Sequence, residues 1–524
     1  MSTGREALKA LLEVEGRKDS SLTVRAAWIM SARTAAFVLS FALPLLLVRR
    51  LDQTSFGLYK QVFLLVGTAV NVLPLGFHMS AFYFLPRELE RRGEVVFNIL
   101  LFHLAVGSAA CLAFILRPTL ISNLFPGSQE LVAYAPAIGA LLLLWVASSF
   151  LESVAMANQD TKTATLFIVS MQLTRTLLLL SVAIAFASVE ALIYAAIIQG
   201  ALQTVVLVVY LSLRFENFGR RFDVSLLRTQ LSYALPLGLA GFLFSMQMDM
   251  HNYFVSNRFD AATFAIYAIG CFNLPLIHIL SDSVGSVMIP RVAELEKQGQ
   301  RREIIVLISR MMRKLAVPYF ALYAFLIVMG REFLVVLFRE PYLASWPVFA
   351  INLAIIPLGL VTSACDPVMR AFPEHRFFLL RMRAALLGGL FLALWFGTRS
   401  IGLVGVISLV VLTNLLERIA VATRCGKALG MTWAELKLFK DVGKLAVAAL
   451  CAAGATALAR ALAINALPPF FVLALCGAVF GLVYLAAMLL LRILSPGERD
   501  GIGRALARLQ RRTHWRRAAE GDVV

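Results

Sequence analysis

The chain has 524 residues, 60% of them hydrophobic and only 15% charged, and its mean hydropathy is +0.80. That leaves too little polar surface for a soluble fold and excludes disordered, collagenous and small disulfide-scaffold chains. The formal charge of +18 would suggest nucleic acid in a soluble protein. In so apolar a chain it points instead to Lys and Arg on cytoplasmic loops, with no nucleic-acid partner. The class is an all-α polytopic membrane protein.

A spanning helix needs roughly 20 mostly apolar residues. Fourteen stretches fit: 27–48, 61–85, 95–116, 131–156, 165–187, 189–213, 230–255, 263–289, 315–338, 343–369, 384–398, 401–423, 445–465 and 469–493. No basic-then-apolar cleavable signal precedes the first run, so it is expected as a retained span. Ser188–Glu190 alone divides the fifth from the sixth, and Leu467-Pro468-Pro469 the thirteenth from the fourteenth. The eleventh is short unless it extends back toward Phe377. With the N-terminus in the cytoplasm, the tails and even-numbered loops with their adjoining span ends hold 37 Lys and Arg, and the odd-numbered loops with theirs hold 9, counting Arg331, Arg460 and Arg492 with the ends they lie nearest. This asymmetry predicts cytoplasmic termini at both ends. The longest loop, 290–314, reads as an amphipathic helix. The basic tail 497–521 is either a topology signal or a segment lying on an anionic leaflet. The six cysteines show neither CxxC nor metal-ligand spacing and read as small buried hydrophobes; no metal site and no cofactor is expected.

The sequence repeats itself. Arg50-Leu-Asp52-Gln-Thr-Ser-Phe56-Gly-Leu-Tyr59 is answered by Arg258-Phe-Asp260-Ala-Ala-Thr-Phe264-Ala-Ile-Tyr267 at a constant offset, and Pro86-Arg87 by Pro290-Arg291. The copies lie six spans apart, and six is even, so both halves share one orientation in the membrane. This predicts two parallel six-helix lobes plus two C-terminal helices. The expected divisions are a cytoplasmic segment 1–26, an N-lobe 27–213, a linker 214–229, a C-lobe 230–423, a loop with spans 13 and 14 over 424–494, and a basic tail 495–524.

The stretch RRLDQTSFGLYKQVFLL, followed by a second span ending FYFLPRELERR, resembles the polysaccharide-biosynthesis membrane proteins. These are the Wzx-type oligosaccharide-lipid flippases of the multidrug/oligosaccharidyl-lipid/polysaccharide (MOP) exporter superfamily. RFDAATFAIYAIGCFNLPL, with SVGSVMIPRVAEL beyond it, resembles the same family's second lobe. The resemblance implies two lobes forming an inverted V. It also implies movement of undecaprenyl-pyrophosphate-linked glycans to the periplasmic leaflet of a bacterial inner membrane. The partners implied are the lipid-linked glycan, membrane lipids and other polysaccharide-assembly proteins. The repeated residues Asp52, Phe56, Tyr59, Asp260, Phe264 and Tyr267 form a gate-side loop motif rather than a substrate fingerprint.

A charge inside the bilayer costs roughly 2.5–3.5 kcal/mol on insertion scales, so each one needs a reason. Arg33 lies in span 1 and Arg175 near the middle of span 5, with Gln172 on the same face. Guanidinium suits a pyrophosphate that must leave water. Arg33 also resembles the first-helix arginine that lines the cationic cavity of relatives. The bland reading is an interhelical ion pair or snorkelling. Ser245, Asp249, Asn252 and Ser256 form one polar stripe on span 7, and His278 and Asp282 are one turn apart on span 8. Asp249, Asn252, His278 and Asp282 are candidates for H+ or Na+ coupling; the alternative is that they only hold helices together. Pro44, Pro74, Pro136, Pro236, Pro275 and Pro357 mark kinks. No Walker loop, GxGxxG, HExxH or GxSxG occurs, and no enzyme activity is expected. The alternatives to a flippase are a multidrug exporter of the same superfamily and, with less support from the short odd-numbered loops, a glycan polymerase or ligase.

Overall fold

The computed structural model describes residues 31, 34–36, 38–272, 274–372, 376–397 and 401–493, and every regular element among them is a helix. In chain order these are α1 (Thr34–Leu47), α2 (Gln53–Val72), α3 (Ser80–Phe84), α4 (Arg92–Leu116), α5 (Thr119–Leu124), α6 (Ala135–Ser148) and α7 (Leu151–Ala157). There follow α8 (Thr161–Phe186), α9 (Val189–Arg214), α10 (Val224–Arg258), α11 (Ala261–Gly270), α12 (Pro275–Lys297) and α13 (Arg301–Phe338). The last are α14 (Trp346–Asn352), α15 (Ile355–Ala371), α16 (Arg376–Gly397), α17 (Leu403–Leu429), α18 (Lys440–Ala463) and α19 (Pro469–Leu490).

Nine described helices are long and apolar enough to cross a membrane, or up to twelve spans if three bent pairs each count as one. Of the fourteen expected stretches, the first and eighth fall outside that number. α1 is a shorter apolar helix, and the eighth stretch divides into α11 and α12. Pro275 starts α12, where its missing N–H is tolerated in the first turn and its ring disfavours helix at the residue before it. The loop 290–314 is also not a separate helix. α12 runs through Pro290 to Lys297, Gly299 turns the chain at φ +69°, and α13 starts at Arg301 and continues into the ninth stretch.

Local chemistry sets the other boundaries. Ala187 ends α8 in the left-handed region, and the Ser188 Oγ accepts from Ala191 N (3.2 Å) to start α9. Pro469 occupies the first turn of α19, where its missing N–H costs nothing. α16 reaches back to Arg376, which lengthens the eleventh stretch. Leu75 (φ +47°) and Gly76 (φ +67°) break the second span into segments bent by 43°. α10 packs against that break: a Cβ on Gly238 would lie 1.8 Å from the Leu75 carbonyl oxygen.

The repeat is visible in the backbone. Asp52 (φ −70°, ψ 170°) and Asp260 (φ −68°, ψ 167°) occupy the N-cap positions of α2 and α11. α2 and α11 cross closely, because a Cβ on Gly57 would lie 1.8 Å from the Ala261 carbonyl oxygen. Flanking bonds also correspond: Arg49 Nη1 donates to Leu337 O (3.1 Å), and Asn257 Nδ2, at the equivalent place, donates to Asn123 O (2.8 Å).

By residue contacts the chain divides into two compact units. The first comprises Met1–Ile279, Leu337–Asn352 and Glu374–Glu417, and the expected linker 214–229 lies inside it. Within it Glu417 is buried and bonded at both carboxylate oxygens, by Arg383 Nε (3.0 Å) and Gln247 Nε2 (2.8 Å). The second unit comprises Leu280–Val336, Leu353–Pro373 and Arg418–Val524. There α18 and α19 pack on α13 through the Glu332–Arg460 ion pair (2.8 Å), a Phe325–Phe480 ring contact and a bond from Tyr484 Oη to Val317 O (3.0 Å).

Candidate functional site

The site belongs entirely to the first unit. α8 carries Arg175 near the middle of its 26 residues, with Gln172 three residues earlier on the same face. The Arg175 guanidinium carbon lies 4.5 Å from the ring centroid of Trp145 and 5.4 Å from that of Phe63. The indole is fixed in turn. Its Nε1 donates to Ala196 O of α9 (3.0 Å), and Gly200 leaves it room, since a Cβ there would sit 2.7 Å from Trp145 Cδ1. Phe63, from α2, packs 4.6 Å from the Tyr59 ring. Arg175 makes no ion pair among the described residues, and its Nε is buried without a hydrogen-bond partner. Two π faces hold this cation, so its donors remain available to a ligand.

Two cavities share Arg175 and Gln172. One, of ≈ 340 Å³, is also lined by Tyr59, Lys60, Phe63, Asn252 and Phe264. Among the described residues that line it, two are cations and none is a carboxylate. Lys60 sits 5.5 Å from the Phe56 ring centroid and makes no ion pair among the described residues. The other cavity, of ≈ 280 Å³, is also lined by Trp145, Ser148, Ser149, Glu152, Gln199 and Gln203. A break in the fourth span places the serines. The Ser148 and Ser149 hydroxyls donate back to Leu144 O (2.8 Å) and Val146 O (2.8 Å), where α6 gives way to α7.

Arg175 and Gln172 line both cavities, and Asn252 lines the larger one. Asp249 accepts from Thr68 Oγ1 (3.1 Å), while Ser256 is buried with its hydroxyl unpartnered. Of the repeated motif, Tyr59 and Phe264 reach the larger cavity. Phe56 is buried edge-on against Tyr342, and Tyr267 Oη bonds His251 Nδ1 (2.9 Å). Asp52 and Asp260 both stand at N-cap positions, and the Asp260 side chain accepts from Thr263 N while that of Asp52 makes no capping bond. Bonds from the Thr263 hydroxyl and backbone N–H hold the Asp260 carboxyl below its ordinary range. Arg33, and the side chains of His278 and Asp282 on α12, lie outside the described residues.

Sequence reasoning missed Lys60, assigning it to the link before the second span. The N-cap at Asp52 starts α2 eight residues before Lys60, which places the lysine two turns inside a helix. Trp145 was also missed, because neither apolar-run length nor motif distinguishes a cavity wall from packing, and Glu152, which reads in the sequence as a salt-bridging carboxylate toward a span end, lines the smaller cavity.

The cavity, with buried cations and aromatic walls, lies among helices that are long and apolar enough to cross a membrane. Solved structures bear out the fold. The chain is similar to the lipid II flippase MurJ in an inward closed conformation, with TM-score 0.63, 13% identity and coverage of 87% of this chain and 98% of that one. It is similar to an inward-facing multidrug resistance MATE family transporter of the MOP superfamily, with TM-score 0.58, 14% identity and coverage of 76% and 96%. A MOP superfamily transporter from Pyrococcus furiosus matches with TM-score 0.54, 13% identity and coverage of 78% and 95%. No curated protein matches the sequence significantly. The family model for polysaccharide biosynthesis proteins matches residues 46–347, and the chain belongs to that family.

Proposed function

We propose that the protein moves a polyprenyl-pyrophosphate-linked oligosaccharide from the cytoplasmic to the periplasmic leaflet of a bacterial inner membrane, by alternating access, for O-antigen or exopolysaccharide assembly. The observation that carries this reading is the pair of cations on the wall of one cavity, Lys60 and Arg175, which have no carboxylate partner among the described residues. A buried cation without a counter-charge is expensive, and a pyrophosphate entering the cavity would offset that cost. Guanidinium donates to phosphate oxygens through a bidentate fork, and each charge-assisted bond contributes about 1.5–3 kcal/mol. The polyprenyl tail stays in lipid, so only the charged head group and glycan must cross. Family membership in polysaccharide biosynthesis agrees with this cargo.

A multidrug exporter is the second reading, because MATE transporters are among the folds that match. Lys60 and Arg175 oppose cationic drugs, which favour acidic and aromatic pockets. Ion coupling, in this account, centres on Asp249 with Asn252, His278 and Asp282, and the other polysaccharide-assembly proteins are its partners. The test is binding of a short-chain polyprenyl pyrophosphate by the purified full chain. Arg175→Ala should weaken it at least tenfold, with inorganic pyrophosphate competing against the wild type. Unchanged affinity in Arg175→Ala would remove the head-group role.

A further inference from the structure

We propose that the contact between α2 and α10 is a proton relay, in which bound water held by Gln61 and Ser256 feeds Tyr253 and Thr68, and these pass the proton to Asp249. This rests on the ion-coupling reading above, centred on Asp249, and adds the route and the ion.

Thr68 Oγ1 donates to Asp249 Oδ2 (3.1 Å), and one turn away the Tyr253 hydroxyl donates to Leu64 O (3.5 Å). These two levels show that α2 and α10 run antiparallel. One turn further toward the Asp52 and Asp260 links, the same register sets Gln61 level with Ser256. Gln61, Leu64 and Thr68 share one face of α2, and Asp249, Tyr253 and Ser256 share one face of α10.

At the level of Gln61 and Ser256 no polar atom is satisfied. Both residues are 0% exposed. The Gln61 amide nitrogen and oxygen and the Ser256 hydroxyl have no hydrogen-bond partner among the described residues. Buried polar atoms are destabilising unless water or another ligand meets them. A buried water needs roughly two to four polar partners, and an amide and a hydroxyl at one level supply them.

Beyond that level the groups are hydroxyls. Tyr253 faces Thr68 as well as Leu64 O, and Thr68 bonds the carboxylate. Among the described residues Tyr253 is the titratable group that faces Asp249, and no lysine, arginine, histidine or second carboxylate does. A hydroxyl both donates and accepts. A hydronium at the entrance gives one proton to Tyr253 Oη and becomes water. Tyr253 hands its own proton to Thr68 Oγ1, and Thr68 hands its own to Asp249 Oδ2. Only O–H bonds form and break, and the carboxylate becomes a carboxyl. A metal ion would need the helices to part, whereas a proton crosses by exchange along hydrogen bonds.

The test uses the purified full chain in nanodiscs without cargo. A caged proton is photolysed, and the infrared band of the newly formed Asp249 carboxyl is followed in time; Asp249→Asn identifies the band by its loss. Tyr253→Phe and Thr68→Val keep shape and remove one hydroxyl each. Both should slow the rise of the band at least tenfold, and Thr68→Ser should stay within about threefold of wild type. Gln61→Met reads the water separately. With water bound, removing its partner lowers the melting temperature; in a dry contact, removing unpaired polar atoms raises it. Melting curves also show that each variant is folded, and Ser256→Ala supplies the rate comparison if Tyr253→Phe or Thr68→Val does not fold. The relay is overturned by the absence of an Asp249 band, by wild-type rates in a folded relay variant, by a band that answers Na+ rather than pH, or by a Gln61→Met melting temperature at or above that of wild type. Binding of a short-chain polyprenyl pyrophosphate keeps the two claims apart. Tyr253→Phe should bind it within about twofold of wild type. Failure of the wild type to bind it ends the head-group reading and leaves the infrared result to decide the relay.

Discussion

At the residue scale the site depends on how a cation is kept ready. Arg175 is clamped between Trp145 and Phe63, and among the described residues its stacked guanidinium has no carboxylate to release before it can bind a ligand. An ammonium stacks less well and lacks the planar fork. Arg175→Lys should therefore recover only part of the transport lost in Arg175→Ala, and Lys60→Gln should weaken pyrophosphate binding by about an order of magnitude. Full rescue by lysine would make charge alone sufficient. Arg175 was legible in the sequence because a charge deep in an apolar run stands out. Lys60 was not, because it follows the basic pair Arg49-Arg50 and looks like part of a polar link. A cap explains the difference and carries its own prediction. The Asp260 carboxyl, held below its ordinary range by Thr263, contributes stability that is present above the unfolded carboxyl value and is lost as pH falls through the folded one. Asp260→Ala should cost roughly 0.5–2 kcal/mol at neutral pH. The melting difference from wild type should narrow below about pH 4.

At the element scale, backbone approach decides where helices cross. Gly57 lets α2 meet the start of α11, and there the displaced atom is a backbone carbonyl that cannot rotate away. Gly67, two to three turns on in the same helix, has nothing within 4 Å of its Cβ position. Gly57→Ala should lower the melting temperature in detergent, with overpacking costing about 1–3 kcal/mol. Gly67→Ala should be neutral or stabilise by about 0.5–1 kcal/mol. Equal effects at the two sites would refute the crossing. Hydropathy located most of the elements, since a span must be long and apolar. It could not show the bend at Leu75–Gly76, where a leucine adopts the left-handed region against its own preference. Nor did it show the separation of α11 from α12, because the apolar pattern continues across Pro275 while the hydrogen-bond ladder does not.

At the scale of the whole molecule, charge sets orientation and the repeat sets symmetry. The 37-to-9 distribution of Lys and Arg and the matching N-cap positions of Asp52 and Asp260 predict that both links face the periplasm and both termini the cytoplasm. Reporter fusions at residues 54 and 262 should give the same signal; opposite signals would end the parallel-repeat account. Class and fold were legible because composition and span length are global properties. The two cavities were not, because a wall assembled from α2, α6, α8, α9 and α10 has no signature in any one segment. The central claim is that the cavity cations carry an anionic lipid-linked glycan across the membrane, and the direct measurement is translocation of a fluorescent polyprenyl-pyrophosphate oligosaccharide in proteoliposomes. Wild-type protein should move the probe to the protected leaflet, and Arg175→Ala, equally well inserted, should do so at least tenfold more slowly. Wild-type rates in Arg175→Ala, or transport of cationic dyes with no movement of the lipid-linked glycan, would contradict the account.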